Sequence, residues 1–216
     1  MQVGTFNASK FLGKKVLFGL AAAVLLATPA HAEVTTYNVD AKASKLEWMG
    51  SKVTGSSHNG TIAIGSGTVK LDGDKLVGGD VTVDMKTIVN LDLTDAKYNK
   101  KLVDHLSSED FFDVAKFPTS KLVLKEGSKG KDGKFTAKGD LTMKSATKPV
   151  DFIAAVSEGA NGAKTVTVDL TVDRTVWDVR YGSGKFFKNL GDKMIKDEIN
   201  LKATIVLTPA AKTAQK

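Results

Sequence analysis

The chain contains no cysteine. Thiol catalysis, thiolate zinc sites and haem attachment through CxxCH are therefore excluded, as is a lipid anchor on a cleavage-site cysteine. Any exported form must hold together without disulfides. Of the 31 basic side chains only Arg174 and Arg180 are arginines. Without an arginine cluster, bidentate reading of phosphates and bases has no basis, and nucleic-acid binding is not expected. Histidine is scarce, at three residues. His58 and His105 lie far apart without HExxH-like spacing, so no metal site is expected and both read as structural or surface groups. There is no GxSxG and no serine with a base and orienter in reach by motif, so no catalytic residue is expected. Gly182-Ser183-Gly184 does not join a strand to a Rossmann-type helix and is not a phosphate loop.

Residues 1–32 read as a removable leader. Lys10, Lys14 and Lys15 form a basic region, Val16 to Ala27 an apolar one, and Ala30-His31-Ala32 a small-x-small cleavage site. The apolar run is shorter than the roughly 20 residues a membrane-spanning helix needs. Cleavage after Ala32 and a periplasmic, non-lipoprotein location are expected. Residues 33–209 then read as one domain, followed by a frayed tail over 210–216, with no internal repeat or long linker. The remaining lysines are scattered along strand faces, as on a solvated sheet exterior. Lys125, Lys129, Lys131, Lys134 and Lys138 gather at one hairpin, whose charge would favour transient contact with an anionic membrane surface. A homodimer is left open.

Strands are expected over Thr36–Asp40, Lys45–Val53, Asn59–Leu71, Lys75–Met85, Ser120–Lys125, Lys134–Met143, Pro149–Val156, Thr165–Asp173 and Glu198–Thr208. Asp72-Gly73, Asp132-Gly133 and Asn161-Gly162 mark hairpin turns between them. This all-β pattern fits a sandwich or an antiparallel up-and-down barrel. Ile62 and Ile64 are even-numbered whereas Val69 and Leu71 are odd, so the inward parity switches across Gly65-Ser66-Gly67. A bulge there bends a long strand, which barrel closure requires.

One stretch departs from the pattern. Asn99, Leu102, Val103 and Leu106 follow the spacing of one helix face, so Asp95–Ser107 is expected to be helical. Ser107 and Asp110 are placed to cap a turn after it, and Phe111, Phe112 and Phe117 need an apolar surface. A helix and an aromatic lid at the mouth of a barrel point to a cavity.

Small residues occupy several inward positions: Gly79, Ala137, Gly139, Ala154 and Ala203. Opposite Trp48, Phe135, Phe152 and Trp177 they suggest a tunnel walled by aromatics, although interdigitation into a filled core fits the pattern equally. Asp173-Arg174 reads as a strand-end ion pair. Phe186 and Phe187, in the loop from Gly182 to Gly191, are expected to pack on the barrel end.

The string His105 to Pro118, HLSSEDFFDVAKFP, resembles the signature of the YceI-like, polyisoprenoid-binding, lipocalin-like family. Gly139 to Val150, GDLTMKSATKPV, resembles its G-x-L-T…T-K-P-V stretch, and Val172 to Trp177 resembles its late Asp-Arg strand. The three lie in collinear order, and Ser145 and Asp178 stand where glycine is frequent in that family. The resemblance implies an eight-strand lipocalin-like barrel with a helical lid, holding an isoprenoid lipid such as a polyprenyl chain or isoprenoid quinone, without another cofactor. The candidate ligand-binding residues are then Trp48, Leu106, Phe111, Phe112, Phe117, Leu122, Leu124, Phe135, Ala137, Gly139, Phe152 and Trp177. The alternatives are an enzyme acting on a lipid or quinone with His105 as acid–base, and a secreted stress or adhesion protein with a filled barrel.

Overall fold

A computed structural model describes residues 1–2 and 34–211. Every described element lies within residues 34–211. The expected leader and the end of the expected tail fall outside the described residues.

The elements are β1 (Thr35–Val39), β2 (Lys45–Lys52), β3 (Ser57–Asp72), β4 (Lys75–Asn90), α1 (Ala96–Ser107), β5 (Thr119–Lys129), β6 (Lys134–Met143), β7 (Ala146–Glu158), β8 (Lys164–Asp173) and β9 (Ile195–Pro209). From β2 to β9 each strand pairs antiparallel with the next, and β9 pairs back onto β2, so the sheet closes on itself. β1 occupies the same column as β2. It pairs Tyr37 with Val69 and Asn38 with Thr208, while β2 pairs Trp48 with Gly60 and Leu201. The two are halves of one stave, broken where the Asp40 carboxylate accepts from the Lys42 and Ala43 amides. The result is an eight-stave up-and-down barrel, not a sandwich.

Alternation explains the closure. On β3, Ile64 pairs with Val83 and Ser66 with Thr82, leaving Gly65 as the extra residue of the expected bulge. Parity flips there, so Ile62, Ile64 and Val69 are all buried on one strand. Outward positions carry cross-strand charge pairs, including Lys121–Asp80 at 3.3 Å and Lys125–Asp140 at 2.7 Å. In each the lysine is exposed and the aspartate half-buried, so each is worth about 1 kcal/mol or less, but together they keep the exterior wet. Apolar inside and charged outside is the reverse of a membrane-spanning barrel.

The helix starts at an Asp95 cap that accepts from the Lys97 and Tyr98 amides, where an acidic side chain satisfies orphan N–H groups. It ends at Ser107 as expected, but the capping of the turn after it differs from the expectation. Ser108, not Ser107, is the C-terminal cap, with its hydroxyl donating to the His105 carbonyl, and Asp110 instead engages His105.

Two ends of the barrel are distinct. The hairpin end carries the β3–β4, β5–β6 and β7–β8 turns. The helix end carries α1, the β2–β3 turn and the segment from Arg174 to Met194.

Candidate functional site

The barrel encloses a cavity of about 690 Å³ that runs from Phe135, Val156 and Leu207 at the hairpin end to His58, His105 and Tyr181 at the helix end. Its wall explains an otherwise odd pattern of exposure. Val166, Val168 and Leu170 on β8 and Ile199 and Leu201 on β9 are only half-buried although they point inward. They look into open space rather than into one another, so the filled core is excluded. Beneath the helix a second packed group, Ile62, Met85, Ile88, Leu106, Phe111, Val114 and Val179, closes that side.

Most of the expected binding residues face this space. Trp48, Leu106, Phe111, Phe112, Leu122, Leu124, Phe135, Ala137 and Phe152 line it. Phe117, Gly139 and Trp177 do not border the cavity, and each has a local reason. A Cβ on Gly139 would stand 2.7 Å from the Val123 carbonyl oxygen and 2.9 Å from Leu122 Cδ1. Gly79 has φ +136° and the same crowding, 2.2 Å from the Thr68 carbonyl oxygen. These glycines permit close approach of neighbouring strands rather than leaving room for a ligand; Ala137, Ala154 and Ala203 are the small residues that do line the space. Trp177 is 3 % exposed and donates its indole N–H to the Leu141 carbonyl at 2.8 Å, packing behind the wall. Phe117 is held in the turn after the helix, its amide bonded to the Asp113 carbonyl and its ring beneath the Lys116 ammonium.

The polar groups concentrate at the helix end. Exposed Lys52, Ser56, Tyr181 and Lys193 border the cavity there, with half-buried His58 and His105. His105 Nε2 lies 3.1 Å from Asp110 Oδ2, and its ring meets Phe111 and Tyr181 edge-on at 4.9 and 4.6 Å. His58 Nδ1 lies 2.7 Å from Asp92 Oδ2. Burial works against charge on Asp92, but the Asn59 amide, His58 and Asn90 hold its carboxyl below the ordinary aspartate range. Among the described residues no three histidine or carboxylate groups converge as a metal site.

Asp173 and Arg174 do not form the expected ion pair with each other. The Arg174 side chain is buried and donates to the Val179 carbonyl at 2.6 Å and the Lys196 carbonyl at 3.1 Å, so it ties the loop to β9 from inside. Asp173 accepts instead from the Thr175 amide and hydroxyl and from Lys185 at 2.7 Å. Lys185 also reaches Asp197 at 3.1 Å. Phe186 and Phe187, expected to pack on the barrel end, are each 46 % exposed.

Sequence reading missed Tyr181 and Lys193, which lie in an irregular loop where no periodicity marks a facing side chain. It also missed the β8 row Val166, Val168 and Leu170, whose alternation was a usable signal.

A closed antiparallel barrel with one helical insert and an apolar interior defines the lipocalin-like class. Residues 37–207 match the YceI-like domain, and the chain belongs to that family. It is 32% identical over 143 residues to a UPF0312 protein of Pseudomonas putida, covering 65% of this chain and 72% of that protein. A UPF0312 protein of Photorhabdus laumondii is 31% identical over 140 residues, covering 63% and 69%. Among solved structures, BcnA of Burkholderia cenocepacia superimposes with a TM-score of 0.63 at 24% identity, over 79% of this chain and 99% of that one. A polyisoprenoid binding domain from Saccharophagus degradans does so with a TM-score of 0.60 at 11% identity, over 82% and 99%.

Proposed function

We propose that this protein is an exported, periplasmic carrier that holds one isoprenoid lipid, a polyprenyl chain or isoprenoid quinone, in its barrel without transforming it. The observation that carries this reading is the continuous apolar cavity of about 690 Å³, with most of its polar groups at the helix end and Lys164 at the other. That volume is within the range of about 300–1,000 Å³ typical of small-molecule sites. The shape suits a molecule with a long apolar tail and one polar head. The Saccharophagus degradans domain of the same fold is a polyisoprenoid binding domain, which supports the same class of ligand here.

The energetics set what the barrel must do. Taking a hydrocarbon chain out of water is worth about 0.8 kcal/mol per CH₂, but a tail already in a bilayer has gained this. Moving it into an apolar barrel is then near neutral, and exchange between membrane and protein runs in either direction. Selection falls to cavity shape and to the groups at the mouth.

Organic extraction of the purified protein followed by mass spectrometry tests the reading. Co-purification of a long isoprenoid lipid is the expected result. Recovery of no apolar ligand from protein expressed in a cell that makes such lipids overturns it. The His105–Asp110 and His58–Asp92 couples at the mouth favour the enzymatic alternative enough to define its signature, which is chemical change of an added lipid or quinone.

A further inference from the structure

Among the described residues the exposed aromatic side chains are Tyr98, Tyr181, Phe186 and Phe187, and all four belong to the helix end. Three of them sit together on the loop from Arg180 to Lys193, where Tyr181 is 40 % exposed and Phe186 and Phe187 are 46 % exposed each. The rings of Tyr181 and Phe187 lie 6.5 Å apart. Single exposed apolar side chains need no explanation, but a cluster rimmed by polar groups does.

The loop does not expose these rings by being loose. Ser183 is fully buried, and its carbonyl accepts from the amides of Phe186 and Phe187 at 3.1 and 3.0 Å. Gly182 takes φ +66° against Ile195 and accepts from the Ile195 amide at 2.9 Å. A tight turn pinned at its base therefore holds the two phenylalanines outward.

The charge around them has one dominant sign. Between residues 180 and 193 stand Arg180, Lys185, Lys188 and Lys193, against the single acid Asp192. Arg180 pairs with Asp178 and Lys185 with Asp173 and Asp197, which leaves Lys188 and Lys193 as the unpaired cations of the loop. The β2–β3 turn adjoins this loop through the Val53 amide, which donates to the Met194 carbonyl at 3.0 Å, and adds exposed Val53 and Lys52. Among the described residues Lys52, Lys188 and Lys193 enter no ion pair; at the far hairpin Lys125, Lys129 and Lys138 are each paired with an acid and only Lys131 and Lys134 are unpaired, with no exposed aromatic ring beside them. Tyr181, Lys52 and Lys193 also border the cavity.

We propose that this aromatic and basic face docks on an anionic lipid bilayer and seats the cavity mouth against it. Phe186 and Phe187 enter the headgroup region, where aromatic rings partition favourably, and the lysines contact anionic headgroups. An apolar tail then passes between bilayer and barrel without crossing water. The proposal rests on the carrier reading only for its purpose; the docking itself is measured without any cavity ligand. It also moves the membrane contact from the Lys125–Lys138 hairpin to the opposite end of the barrel.

Co-sedimentation of the purified protein with vesicles of phosphatidylethanolamine and phosphatidylglycerol tests it, with phosphatidylcholine vesicles as comparison. Phe186→Ser with Phe187→Ser, and separately Lys188→Glu with Lys193→Glu, should each lower partitioning onto the anionic vesicles by about tenfold or more. Reversal of Lys131 and Lys134 at the far end should leave it within about twofold. Wild-type partitioning by both loop variants, or loss confined to the far-end variant, overturns the proposal. So does a wild-type dimer that dissociates in the phenylalanine variant without any vesicle binding, because the face then belongs to a second copy. Protein that sediments with vesicles but yields no isoprenoid on extraction keeps the docking and removes the carrier reading. Protein that yields isoprenoid but never sediments does the opposite.

Discussion

The imidazole of His105 on α1 meets the phenol ring of Tyr181 edge-on, with centroids 4.6 Å apart at 81°. These residues come from the helical insert and from the loop before β9, so the contact closes a ring of elements around the mouth. Phe111 completes it, 4.9 Å from His105 and 5.2 Å from Tyr181. Edge-to-face packing of this kind adds about 0.5–1.5 kcal/mol beyond area burial. The mouth is therefore fastened from both sides, and opening it means separating helix from loop.

The two adjacent phenylalanines of the lid should behave differently. Phe111 is 8 % exposed and belongs to the packed group beneath the helix, so Phe111→Ala should cost about 3–5 kcal/mol. Phe112 is half-buried, touches both core groups and lines the cavity. Phe112→Ala should cost less and speed release of a bound isoprenoid to acceptor vesicles. Urea midpoints and release rates for both variants check this; an unchanged release rate for Phe112→Ala places that ring in the core and not in the gate.

Much of the barrel was legible because its signal is alternation. Ile199, Leu201, Ala203, Ile205 and Leu207 face inward against Asn200, Lys202 and Thr204, and β9 lies where that pattern places it. The bulge at Gly65 was readable as a parity flip. Boundaries fared worse where alternation breaks: β4 runs on to Asn90 past an irregular Met85–Ile88 step that leaves Met85 and Ile88 both buried. β6 ends at Met143 as expected, but β7 starts at Ala146 rather than Pro149, because the turn is tight and Lys144 takes φ +49° with no glycine to announce it. Asp178, where the family often has glycine, likewise sits at φ +64°. Gly139 shows the limit for the site itself, since alternation tells which way a side chain points but not how close the next strand lies.

Filling the cavity should separate two small inward positions. Ala203 is half-buried and lines the open space, so Ala203→Leu should abolish lipid retention while changing stability by less than about 1 kcal/mol. Gly139 has no such room, and Gly139→Leu should cost about 1–3 kcal/mol as overpacking. Denaturation midpoints with lipid content read after extraction decide it. Loss of stability in both variants, with lipid retained by the Ala203 variant, contradicts an open barrel.

Acid should loosen the loop through Asp173. Burial opposes its charge, but Lys185 and Thr175 hold its carboxyl below the ordinary aspartate value of 3.8. The unfolded chain therefore takes up the proton at a higher pH than the folded one. The ionised group stabilises the fold fully above the ordinary aspartate range, and that contribution is lost as pH falls towards the depressed value. Asp173→Asn should be less stable than wild type by a constant margin above about pH 5, narrowing below it. Urea midpoints of the two proteins across acid pH check this, and a margin that persists undiminished into strong acid would refute the role of the charge.

The most direct measurement is native mass spectrometry of the delipidated protein after incubation with vesicles containing an isoprenoid quinone or polyprenyl lipid. One bound isoprenoid per barrel, absent from the Ala203→Leu variant, is the expected outcome. Wild-type protein that emerges with its mass unchanged, or an Ala203→Leu variant that takes up the same lipid to the same extent, contradicts a carrier whose cavity holds the chain.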